Sequence, residues 1–168
     1  MLERQYSRRQ TADLLEMGKE EELNRFLAEG RLGAVGVHTE GETFSLAEVV
    51  TCKLAHAIER LGVPSEKAAR YADAILGSRL AANEENALDW IENEAQELFC
   101  LICDNELARI FLRNKEDGKE VDVGAVKPML FPTTRCEVNV FRVIRPVVYK
   151  ARQLVKSDAE PVPGGSVT

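Results

Sequence analysis

No stretch of the chain approaches the ~18 consecutive apolar residues that a membrane-spanning helix needs, so no transmembrane span is expected. The opening residues, Met1-Leu-Glu-Arg-Gln-Tyr-Ser-Arg-Arg9, carry charge with no apolar stretch behind it. That is not the pattern of a secretory signal, and the expected location is cytoplasmic. Histidine is scarce, His38 and His56 being the only two. His56 follows Cys52 by one helical turn, but the pair alone falls short of the ~4 ligands a structural zinc takes. The four cysteines (52, 100, 103 and 136) read as reduced thiols rather than a disulfide scaffold, since no export signal precedes them. Cys100-Leu-Ile-Cys103 is a lone CxxC in an apolar segment read as a strand, where residues i and i+3 face opposite ways. The expectation is buried structural cysteines. No nucleophile–base–acid set, glycine-rich phosphate cradle or internal repeat is present, so the sequence points to no enzyme, cofactor or metal.

The 168 residues, 45% apolar and 30% charged, have the balance of one ordinary globular domain or two small ones. Net charge is −6, the wrong sign for a protein that coats nucleic acid, which makes the local distribution decisive. From Ala81 to Ala108 there are eight acids and no base, whereas Arg135 to Lys156 holds six bases against Glu137. Two consequences are open: the basic stretch packs against the acidic one, or it forms a second surface for nucleic acid or a partner.

Periodicity and capping define the N-terminal half. Ser7-Arg8-Arg9-Gln10 has capping-box form and opens a helix with apolar Ala12, Leu14 and Leu15, ended by Gly18. A second helix is expected from Lys19 to Glu29, with Leu23, Phe26 and Leu27 on one face and Gly30 closing it. Val35, Val37, the Glu40-Gly41 turn and Thr43-Phe44 read as a β-hairpin. Ser45-Leu-Ala-Glu48 is a second capping box, opening a long helix that Gly62 stops. Pro64 then sits in the first turn of a fourth helix, where a missing N–H is harmless.

Beyond Leu80 the pattern mixes types. A helix is expected over Glu84–Asn93, where Trp90 reads as a core or interface anchor. Strands are expected over Leu98–Ile102 and Leu107–Leu112 about an Asp104-Asn105 turn, and Glu120–Val123 is a third strand or a loop. Glu137-Val-Asn-Val-Phe141 alternates like a strand. A basic helix from about Val143 to Lys156 follows, in which Pro146 has to occupy the first turn or break it. Residues 157–168 read as a flexible tail.

The order helix, turn, helix, hairpin wing, helix, Leu-Gly-Val, helix resembles the MerR/excisionase-like winged helix-turn-helix superfamily over about 75 residues. Tyr6-Ser-Arg-Arg-Gln-Thr-Ala-Asp-Leu-Leu is similar to its opening helix, and Leu23-Asn-Arg-Phe-Leu-Ala-Glu-Gly-Arg-Leu32 to its recognition helix and exit. Phe44-Ser-Leu-Ala-Glu-Val-Val resembles the step out of the wing, and Ile58-Glu-Arg-Leu-Gly-Val-Pro-Ser-Glu-Lys-Ala the turn into the fourth helix. The resemblance implies contact with double-stranded DNA through Arg8, Arg9, Lys19, Asn24, Arg25 and Arg31, whose side chains suit phosphates and base edges. Glu20-Glu21-Glu22 and a wing without Arg or Lys depart from that pattern. Residues 1–34 hold six bases against seven acids, so weak DNA affinity or a need for a dimer is expected.

The expected fold class is α+β: a MerR-like winged helix-turn-helix (1–80), a small mixed subdomain with an antiparallel sheet and C-terminal helix (81–156), and the tail. The leading functional expectation is a transcriptional regulator that forms a homodimer through its C-terminal subdomain. The rivals are a phage-type terminase small subunit, and a winged-helix adaptor that binds protein after losing DNA.

Overall fold

A computed structural model describes residues 4–21, 23–24, 43–82, 84–124 and 132–159. The described chain is α+β with antiparallel pairing throughout. Its elements are β1 (Gln5–Ser7), α1 (Arg8–Leu14), β2 (Thr43–Ser45), α2 (Leu46–Glu59), α3 (Ser65–Ala82), α4 (Glu84–Glu92), β3 (Gln96–Cys103), β4 (Glu106–Asn114), β5 (Glu120–Asp122), β6 (Arg135–Asn139) and α5 (Val140–Ala159). None of the described helices is long and apolar enough to cross a membrane.

Three helices start by the same local device, a strand whose last residue is also an N-cap. Ser7 accepts from the Gln10 amide while the Gln10 side chain accepts from the Ser7 amide; Ser45 and Glu48 repeat the arrangement. The two strands then pair with each other, Tyr6 opposite Phe44, and both aromatic rings are buried. At the third junction Asn139 Oδ1 accepts from the Arg142 amide at 3.0 Å, which launches α5 directly from β6.

This cap corrects the expected start of α5 from Val143 to Val140. Pro146 therefore lies inside the helix, beyond its first turn, and yet does not end it. Proline withholds one hydrogen bond from the Arg142 carbonyl, but both residues are solvent-exposed. The inward stripe of Val140, Phe141, Ile144, Val147, Val148 and Ala151 keeps the helix on the core. Gly18 does not terminate α1 either. The Met17 amide donates to the Ala12 carbonyl and the Glu16 amide to that of Asp13, the paired bonds of a Schellman motif. Its left-handed residue is Glu16, at φ 61°. The strain of a non-glycine residue there is opposed by Lys53, which bonds both the Leu15 carbonyl (3.0 Å) and the Glu16 carboxylate (2.9 Å), and by Lys150 (2.8 Å).

The larger sheet runs β5-β4-β3-β6. Asp104 and Asn105, both at positive φ, make the two-residue turn between β3 and β4. The Asp104 carboxylate also accepts from the Thr133 and Thr134 amides, which hold it below the usual carboxylate range and pin the chain entering β6. Leu98, Cys100 and Ile102 face inward. One continuous core joins both halves, running from Tyr6 and Phe44 through α2 to the inner sheet face and α5. Trp90 meets Phe141 edge-on at 4.8 Å.

The outer sheet face is polar yet closed. Phe99 and Phe111 stack at 5.4 Å, and Arg113 and Arg109 each lie 4.3 Å above one of the rings. Carboxylates alternate with these guanidinia: Asp122–Arg109 (2.5 Å), Arg109–Glu120 (2.6 Å), Glu120–Arg113 (2.8 Å) and Arg113–Glu137 (3.1 Å).

Candidate nucleic-acid interface

Of the six residues marked for DNA contact, Arg8, Arg9, Lys19 and Asn24 are described, whereas Arg25 and Arg31 lie outside the described residues, as does most of the expected wing. Arg8 and Arg9 form the first turn of α1, where the helix dipole opposes a cation. A second helical segment, seen at Glu20, Glu21, Leu23 and Asn24, approaches that turn. Arg8 Nη1 donates to Asn24 Oδ1 at 2.5 Å, so two expected DNA-contacting groups hold each other. Leu23 faces the other way, into the core.

Arg9 and Lys19 are exposed and have no ion pair with a described residue. Two adjoining depressions flank them. Ser7, Arg8, Arg9 and Glu20 line one of about 340 Å³; Arg9, Asp13, Lys19, Glu20 and Glu21 are among the residues lining the other, of about 380 Å³. Arg9 and Lys19 are the cations lining the second depression, and Asp13, Glu20 and Glu21 are its carboxylates.

The basic C-terminal stretch turns much of its charge inward. Arg152 pairs with Glu92 at 2.7 Å, and Arg145 pairs with Glu97 at 2.7 Å while donating to the Ile91, Asn93 and Gln96 carbonyls. Two of the five bases of α5, Arg145 and Arg152, thus pack on the acidic middle of the chain, in line with one of the two consequences open in the sequence, whereas Lys150 pairs with Glu16. A groove of about 420 Å³ remains between α5 and the sheet, lined by Glu97, Lys115, Asn139, Arg142, Arg145, Pro146 and Tyr149. Burial pushes the Glu97 carboxyl up, but its bonds to Lys115 and Arg145 outweigh that and hold it below the ordinary range. The sequence signal for this groove was the basic run itself; the partner that neutralises Arg145 and Lys115 lies 48 and 18 positions upstream of them and carries no local mark.

Cys52, Cys100 and Cys103 are buried, and Cys136 is half-buried at the sheet edge. Burial pushes the Cys100 thiol up to about 12, and Cys52 higher still. Among the described residues no group of three or more His, Cys, Asp or Glu side chains is placed to hold a metal ion. No protein-family model, characterised protein or solved structure matches the chain.

Proposed function

We propose that the N-terminal half binds double-stranded DNA as the reading head of a transcriptional regulator of winged helix-turn-helix type. The supporting observation is the β1–β2 pair, Tyr6 opposite Phe44, which closes the chain on itself between two Ser-capped helices. That closure leaves Arg9, Lys19 and the Arg8–Asn24 pair on one exposed surface at the meeting of α1 and the second helical segment. A helix-turn-helix unit presents its second helix to the major groove while the first crosses the backbone. Here Arg9 and Lys19 serve as the phosphate contacts and Asn24 reaches for a base edge.

The test is fluorescence anisotropy with random-sequence duplex DNA across a salt series. Two phosphate contacts give a log–log salt slope of about −1.8, or roughly 12-fold weaker binding between about 50 and 200 mM salt. Arg9→Ala then lowers the slope by about 0.9. Arg8→Ala acts differently, because it also frees Asn24. Absence of binding at the lowest salt overturns the proposal. It would favour the protein-adaptor reading, whose own support is the pair of carboxylates, Glu20 and Glu21, beside Arg9.

A further inference from the structure

Strand β6 is bonded on one side only among the described residues, since the sheet order ends on it. Which of its backbone groups face the free side follows from two hydrogen bonds. The Lys115 amide donates to the Ala95 carbonyl in the β3–β4 register, so the odd residues of β3 bond β4. The Asp104 amide donates to Thr134, so the even residues of β3 bond β6, with Ile102 on Cys136 and Cys100 on Val138. Antiparallel ladders alternate. The N–H and C=O groups of Arg135 and Glu137 therefore point out of the sheet edge.

We propose that this edge pairs antiparallel with the same strand of a second copy of the chain, making one eight-stranded sheet about a two-fold axis at Cys136. The side chains select that register. Centred on Cys136, Arg135 lies opposite Glu137 of the partner subunit, and the reverse holds by symmetry. Centring on Arg135 would oppose two arginines, and on Glu137 two carboxylates, each unfavourable in directly opposed positions. The Cys136 register also matches outward-pointing backbone groups with outward-pointing ones, as bonded pairs require.

The outer-face ion chain leads to the same place. It alternates Asp122, Arg109, Glu120, Arg113, Glu137 across the sheet and stops at β6 on a carboxylate. Arg135 of the partner subunit supplies the next cation. Within its own chain Arg135 is exposed and has no partner among the described residues. The inference gives the self-association expected of the C-terminal half a surface and a register, and it does not depend on DNA binding.

Sedimentation velocity of the full chain over a micromolar concentration series tests it. The wild type is expected to be dimeric. Arg135→Glu and Glu137→Arg should each weaken the dimer roughly tenfold or more, because both symmetric pairs become repulsive. An equimolar mixture of the two variants should recover it, since the heterodimer restores opposite charges in both pairs. Circular dichroism checks that each variant is folded, as Glu137→Arg also loses its bond to Arg113. A second measurement needs no charge variant. In a non-hydrogen-bonded pair the two Cys136 Cα atoms stand about 4.5 Å apart. Diamide, which takes two protons and two electrons from a thiol pair, should therefore cross-link the wild type and not Cys136→Ser. A monomeric wild type overturns the proposal. So does a dimer that ignores both charge reversals and yields no Cys136 cross-link, whether another surface or another protein occupies the edge.

Discussion

Replacing Arg145 by methionine isolates what its guanidinium does, because methionine keeps an apolar stem over Phe141, where the guanidinium lies 4.9 Å from the ring centre. The Arg145 side chain is only 12% exposed, so its bonds are poorly replaced by water. Nε donates to the Ile91 carbonyl at 2.6 Å, and Nη2 to the Asn93 and Gln96 carbonyls at 2.8 and 3.0 Å. Ile91 lies in the last turn of α4, where carbonyls have no intrahelical donor, and a cation there also meets the negative end of the helix dipole. Charged hydrogen bonds contribute about 1.5–3 kcal/mol each. Asn93 is exposed and regains water, and Glu97 keeps Lys115, so two of the four contacts are largely replaceable. The expected loss is therefore about 3–4 kcal/mol. In urea that moves the unfolding midpoint down by about 1.5–2 M for an m-value near 2 kcal/mol/M. Arg145→Lys should recover less than half, since a single ammonium cannot reach three carbonyls and a carboxylate in one plane. A loss below about 1 kcal/mol for Arg145→Met would mean that water substitutes for the guanidinium, and would refute its role as the clamp joining α4, β3 and α5.

Two further outcomes follow from ionisation. Bonds to Lys150 and Lys53 depress Glu16 to about 2, so its contribution to stability is complete above its ordinary range near 4.5 and disappears as pH falls from there through about 2. Glu16 is half exposed, which limits the effect to about 1 kcal/mol or less. Urea midpoints of wild type and Glu16→Gln should differ near neutral pH and converge toward pH 2; an undiminished gap in acid would contradict the ion-pair account. With Cys52, Cys100 and Cys103 buried, an aromatic disulfide reagent at mildly alkaline pH and low protein concentration should titrate Cys136 quickly. The other three should follow only on denaturation, and two or more fast thiols in the native chain would contradict the packing of β3 against the helices.

What could be read in advance was local. The Ser7/Gln10 and Ser45/Glu48 boxes are four-residue patterns, and both close in the structure as their sequences require. The type of the other described elements after Leu80 was also legible, because burial there leaves a period-2 or period-3.6 mark; Glu120–Asp122, exposed along its whole length, carries no such mark and stayed open between strand and loop. Element ends were not legible where distant residues decide them. Glu16 can hold a left-handed conformation because Lys53 and Lys150 reach it from 37 and 134 positions away, so no window around Gly18 carries that information. Val140 and Phe141 continue the alternation of β6 and equally begin the inward stripe of α5. Only the Asn139 cap separates the two readings, and a strand-to-helix step without any loop left it unmarked.

The candidate site shows the same division more sharply. Composition located the cations, but a residue list treats Arg8 and Asn24 as two independent contacts, whereas in the fold each occupies the other across 16 positions. For either to engage DNA the bond between them must open or be shared, so their contributions to binding are coupled rather than additive. Arg9 and Lys19 carry no such debt within the described residues and are the cations available to phosphate. They share a depression with Glu20 and Glu21, which open the helical segment just after the bend that holds Lys19. On the proposed reading, the presentation of Lys19 by that bend relative to the two carboxylates is what a count of six bases against seven acids leaves out, and it is where a DNA-reading surface and a protein-binding one would differ.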